Sequence, residues 1–184
     1  MSFTSISQKS GASALWIFLL TAGSVATTFA LACATPFAAL AALAAVHMRR
    51  SDGVKLMLLV WAASQVVGFG FLGYPHQLDT YAWGIALGMG AVAALLGADA
   101  ALTRRPLKAE PAQLVMAYVA AFLSFKAVIA LWALGLGGIA TTLDPAIVAR
   151  QFLRDGAILI GLFAFYHALR AVGLPAPRPR LAAA

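Results

Sequence analysis

An imidazole, a carboxylate, a phenol and an indole stand close together in Tyr74-Pro75-His76-Gln77-Leu78-Asp79-Thr80-Tyr81-Ala82-Trp83-Gly84, a polar, aromatic island between two long apolar segments. His76 is the residue of most interest. A neutral imidazole is the commonest side-chain metal ligand, and nothing about a loop after proline requires one there. Asp79 is read either as the cap of a helix starting near Tyr81 or as an acceptor for a ligand. Tyr81 and Trp83 suit an interfacial aromatic belt, and equally the wall of a pocket shared with His76. A second group lies in Arg150, Arg154 and Asp155. The two arginines are four apart and so share a helix face, where their guanidinium forks would suit amide or phosphate acceptors. The bland alternative is a pair of snorkelling arginines, with Arg154 neutralising Asp155.

The elements that position these residues must be membrane helices. Of the 184 residues, 62% are hydrophobic and 10% charged, with a mean hydropathy of +0.90, a balance that water cannot solvate around one soluble core. The apolar runs approach or exceed the roughly 20 residues that span a bilayer as helix, and the alternating pattern of a barrel is absent. The expected fold is all-α, a polytopic bundle of six transmembrane helices. Residues 13–46 hold no charge until His47 and are too long for one span, so Pro36 is read as the break between a helix over 13–33 and one ending at His47. A single kinked helix there would make five spans. Further spans are expected over 56–73, 81–102, 113–136 and 148–172. One transmembrane domain then covers 1–174, and the basic, proline-rich 175–184 forms a cytoplasmic tail that does not fold. Apolar sequence continues past Ala32-Cys33-Ala34, so the N-terminal run is read as mature structure and not as a signal peptide.

The formal charge of +7 gathers in the loops near Arg49 and Arg104 and in the tail. In a membrane protein this is a topology signal before it is a nucleic-acid signal, and no nucleic-acid partner is expected. Both termini are placed in the cytoplasm, with the island and the Asp144 linker on the far side. Arg150 and Arg154 break that rule, as charged residues at a functional helix mouth do. Lys126 falls near the middle of its span and is expected to face a cavity or a partner. Asp99 is expected near Arg104 and Arg105, His47 and His167 are read as structural, and Cys33 as a buried small hydrophobe. Ser124-Phe125-Lys126 lacks the two-residue spacing of a Ser-x-x-Lys pair, so a hydrolase is disfavoured. Gly84 and Gly88 form a G-x-x-x-G, and Ala38, Ala41, Ala42 and Ala45 an alanine face; both permit close helix approach.

Six helices, an Ala-x-x-x-Ala face and an outward pocket resemble the substrate-binding S-components of energy-coupling factor transporters. Within that group, Gly73-Tyr74-Pro75 to Tyr81-Ala82-Trp83-Gly84 looks like the solitary cobalamin-specific, BtuM-like S-components. The resemblance implies a bacterial inner-membrane protein that captures cobalamin or a related corrinoid, with an ATP-driven energy-coupling module as a candidate partner. It implies His76 as the axial cobalt ligand, with Tyr81 and Trp83 on the macrocycle, Asp79 nearby, and Arg150 or Arg154 on peripheral amides or phosphate. Members that remove the upper cyanide use cysteine where this chain has His76, so thiolate-driven decyanation is not expected and the chain is read as a non-enzyme without an intrinsic cofactor. Two other readings stand beside this one. The first is a heme-binding or redox membrane protein using His76 with His47 or His167; the second is a non-catalytic assembly subunit of a larger membrane complex.

Overall fold

The computed structural model describes the backbone of residues 3–30 and 35–177 and the side chains of 11–25 and 35–177. Its elements are α1 (Phe3–Ala30), α2 (Phe37–His47), α3 (Arg50–Gly70), α4 (Leu78–Arg104), α5 (Glu110–Leu136), α6 (Ile139–Thr142) and α7 (Pro145–Ala171). Among the described residues there is no strand. Cys33, Arg178 and Arg180 lie outside the described residues.

The 21-residue α3 and the 27-residue α4, α5 and α7 are long and apolar enough to cross a membrane. At 1.5 Å per residue they reach roughly 31 to 40 Å. Pro36 does separate two helices. The second, however, has 11 residues, roughly 16 Å or half a bilayer, and the apolar stretch described in α1 covers Gly11–Val25. Of the expected six spans, four are full-length apolar helices among the described residues and the one ending at His47 is corrected to a half-length helix, while α1 runs for 28 residues.

α2 is the axis of the bundle. Phe37 and every residue from Ala38 to Ala45 are buried, because this helix packs against α3, α4, α5 and α7. A helix that is apolar all round is stable only when covered all round, and seven small or aliphatic residues in Ala38-Ala39-Leu40-Ala41-Ala42-Leu43-Ala44 let four neighbours approach it. The surrounding helices close a ring. α1 packs on α3, α3 on α4 and α4 on α5. The Tyr118 and Phe152 rings join α5 to α7, and Trp16 meets Tyr166 to join α7 to α1.

Glycine lets α4 fit between two neighbours. A Cβ at Gly88 would stand 2.8 Å from the Trp61 indole of α3, and one at Gly84 2.7 Å from Gln65 Oε1. The opposite side meets α5: a Cβ at Gly90 would lie 2.9 Å from the Phe125 ring, and one at Gly97 would overlap the Ser124 hydroxyl. Trp61 Nε1 also donates to Gly84 O at 2.7 Å, so the G-x-x-x-G seats an aromatic side chain as well as a backbone.

Several helices start earlier than the apolar pattern suggests. α3 begins at Arg50, with Asp52 in its first turn, reducing the expected basic loop 47–55 to Met48 and Arg49. α5 begins at Glu110 followed by Pro111, and α7 at Pro145. An acid or a proline in the first turn complements the helix dipole or the missing N–H partner, so polar residues at these ends join the helix. Asp144 caps α7, accepting from Ala146 N at 2.9 Å and Ile147 N at 3.0 Å. The tail begins folded: Trp16 Nε1 donates to Pro175 O at 2.8 Å, and Pro177 is buried.

One end of the bundle carries Arg49, Arg50, Arg104, Arg105, Lys108 and Arg170, at the end of α2, start of α3, end of α4, start of α5 and end of α7. It is the basic end. The α3–α4 turn with the island, and the α5–α7 connection, form the other.

Candidate functional site at the island end

The island is a tight turn followed by a helix start. Phe71 and Leu72 both donate their N–H to Val67 O, Gly73 takes φ +67°, and Tyr74 N reaches back to Gly68 O at 3.1 Å. The Tyr74 ring folds over Gly68, where any Cβ would collide with it. This fixes Pro75 and His76 at the tip, both exposed. Phe69 is the hub of the aromatic group. Its ring stacks on Tyr81 at 5.1 Å, lies 5.5 Å from the His76 imidazole and meets Tyr74 edge-on at 5.8 Å; His76 and Tyr81 are 6.2 Å apart. Among the described residues the His76 nitrogens take no hydrogen-bond or ion-pair partner. The structure thus brings His76 and Tyr81 together and adds Phe69, which a purely apolar reading of α3 passes over.

Trp83 and Asp79 fall differently. Trp83 is half-buried and two positions after Tyr81 on α4, and helical residues two apart do not face the same way. Tyr81 and Trp83 therefore do not form one wall. The N-cap of α4 is Gln77, without a side-chain cap bond, and Asp79 sits exposed in the first turn. There it complements the helix dipole without capping it.

The second polar group is carried by other elements, α5, α6 and α7. Arg154 donates from Nε (3.2 Å) and from a terminal nitrogen (3.1 Å) to Asp155 Oδ1. The Asp155 side chain is 10% exposed. Lys126 Nζ donates to Thr142 O at 3.3 Å, and Tyr118 donates its hydroxyl to Phe152 O. Gln151 Oε1 is buried with no hydrogen-bond partner. Lys126 and Asp155 each lie 16 residues from the basic end of their helix, roughly 24 Å along it, and so share a level inside the membrane-spanning region. Charges there are costly and pair with one another or face a cavity. Arg154 is committed to Asp155, as the bland reading expects, whereas Arg150 is exposed on the first turns of α7.

The remaining histidines gather at the basic end. His47 Nε2 is 3.5 Å and His167 Nε2 3.4 Å from the same Glu110 oxygen. Glu110 escaped sequence reasoning because it stands 63 residues from one histidine and 57 from the other; the signal was topological, since all three end or begin helices at one membrane face. Asp99, near Arg104 and Arg105 at the end of α4 as expected, also pairs with Arg50 at 3.9 Å, across to α3. His76 is separated from His47 by the whole of α3, 21 residues or roughly 31 Å. One heme iron cannot bind both, and the same separation applies to His167, so the paired-histidine heme reading is set aside.

Among the described residues no group of three or more His, Cys, Asp or Glu is arranged to hold a metal ion. A lone His76 with free nitrogens can still supply one axial bond to a metal whose other positions a macrocycle fills. No protein-family model, no curated protein and no solved structure matches the chain.

Proposed function

We propose that this membrane helical bundle is a substrate-capturing transport protein whose ligand is cobalamin or a related corrinoid, bound at the island end. The observation that carries the reading is the His76 imidazole, exposed at the tip of a rigid turn, unpartnered at nitrogen and flanked by the Phe69 and Tyr81 rings. In this reading a His76 nitrogen gives its lone pair to cobalt in place of the ligand's own benzimidazole. Phe69 and Tyr81 offer apolar faces to the macrocycle edge, and Asp79 accepts from a peripheral amide N–H. Arg150, Arg154 and Lys126 supply donors for amide carbonyls and phosphate, with Arg154 held by Asp155.

The basic end faces the cytoplasm, following the positive-inside rule, and the island faces outward. The buried α2 occupies the axis of the ring in that half of the bundle. Release inward then needs a rearrangement of α2 or its neighbours, which an ATP-driven energy-coupling partner would supply. The histidine at the cobalt position makes this a binding site without thiolate chemistry.

The test is the absorption spectrum of detergent-purified protein before and after addition of cobalamin and removal of the excess. A retained corrinoid spectrum, shifted from that of free cobalamin and reverting in His76→Ala, is the expected result. A colourless protein after washing would overturn the corrinoid reading; retention without any change in His76→Ala would overturn only the ligand assignment.

A further inference from the structure

At the basic end, His47 closes the central helix over a polar cleft of about 650 Å³ lined by His47, Glu110, Gln113, Tyr166, His167 and Arg170. Its side chain is 9% exposed, and its Nε2 has no hydrogen-bond partner. The ring is stacked on Tyr166 at 4.1 Å and on Phe163 at 6.3 Å, both from α7, and Trp16 of α1 meets Tyr166 at 4.8 Å. One imidazole thus ties α2 to α7, and through Tyr166 to α1.

Burial sets this site against a proton, and the charges around it are mixed in sign. Facing His47 are Glu110 from α5 and His167 and Arg170 from α7, with the Tyr166 phenol beside it. Glu110 Oε1 is shared with His167 at 3.4 Å, so a proton on His47 must share one carboxylate with a second imidazole. Glu110 stands 3.5 Å away without making a hydrogen bond to Nε2, and the stacked aromatic rings exclude water from the ring faces. The cleft beside the ring lets protons in from the basic side.

We propose that His47 is a proton-sensitive latch: neutral, it packs α2 against α7 and keeps the basic end of the bundle closed, and protonation releases the end of α2 from α7. The inference does not depend on the identity of the ligand. Burial, opposed by Glu110 and reinforced by His167 and Arg170, lowers the His47 pKa from 6.5 to about 4. An opened end would return it to the ordinary value, so binding of the proton favours the open form as pH falls below 6.5. By linkage, the open-to-closed ratio rises roughly 30-fold between pH 7.5 and pH 5.0.

Hydrogen–deuterium exchange of the full chain in lipid nanodiscs, corrected for the intrinsic pH dependence of amide exchange, reads this directly. Amides near the ends of α2 and α7 are expected to exchange at least tenfold faster at pH 5.0 than at pH 7.5, while those in the middle of α4 and α5 do not change. The response should vanish in His47→Phe, with His47→Gln as the second variant should phenylalanine fail to pack, and persist in Glu110→Gln. Equal protection at both pH values in the unmodified protein would overturn the latch. So would an acid response that survives both His47 variants or disappears in Glu110→Gln, which would assign it to the carboxylate.

Discussion

Asp155 and Arg154 make one unit, since the carboxylate is buried and both bonds from the guanidinium end on a single oxygen. Lys126 contributes at longer range from α5, where its own hydrogen bond goes to Thr142 O. Replacing Arg154 by Leu leaves a carboxylate inside the membrane-spanning region with its first partner gone. Breaking a buried pair from one side costs about 3 kcal/mol or more, and thermal unfolding in detergent should fall accordingly. The Arg154→Leu/Asp155→Leu double variant should recover most of that loss; if it melts no higher than the single variant, the two side chains are not coupled. Asp144→Ala should cost about 1 kcal/mol by the same assay, because its carboxylate answers two N–H groups at the start of α7. The Asp155 partner was readable from neighbouring residues in the chain. The partners of Asp99 and Glu110 were not, because Arg50, His47 and His167 reach them only after helices distant in sequence pack side by side.

Helix α4 touches α3 through Gly84 and Gly88 and α5 through Gly90 and Gly97, and the two glycines of the G-x-x-x-G differ in what stands over them. Trp61 above Gly88 is a rigid indole anchored to Gly84 O, whereas Gln65 above Gly84 is flexible at its far end. Gly88→Ala should therefore cost about 1 to 3 kcal/mol, as overpacking against a rigid neighbour does, and Gly84→Ala under about 1 kcal/mol. Equal melting temperatures for the two variants would show that the indole moves as freely as the amide. The motif itself was legible in the sequence, as was the break at Pro36. The shortness of α2 was not: an uncharged run looks the same whether its helices cross the whole bilayer or half of it. Completely buried alanines at Ala39, Ala41 and Ala42 also give no amphipathic stripe from which depth could be read. Helix starts were missed for a different reason. Hydropathy ends where Arg50, Glu110 and Pro145 begin, yet dipole and first-turn preferences carry the helix through those residues.

The whole molecule is asymmetric along its axis. Its basic end has α2 at its axis and carries the arginines of two helix junctions and of the end of α7; its island end carries the unpartnered His76 and, in the half of the bundle beyond Phe37, the half-buried polar residues Gln65, Lys126 and Arg154. The two histidine settings fall at these opposite ends. His76 is exposed at the tip of its turn, while His47 is stacked on Tyr166 beside the polar cleft. The proposed orientation rests on the positive-inside rule, by which lysine and arginine near helix ends stay on the cytoplasmic side during insertion. That orientation is open to direct measurement. With Cys33 replaced by serine, a single cysteine at His76 should react with a membrane-impermeant thiol reagent in intact cells, and one at Arg105 should react only after the membrane is permeabilised. The reverse pattern would put the island in the cytoplasm, turn the proposed capture site inward, and expose His47 to the acidity of the outer face. Labelling of both positions from one side would contradict an odd number of crossings between them, and with it the placement of α4 as a span.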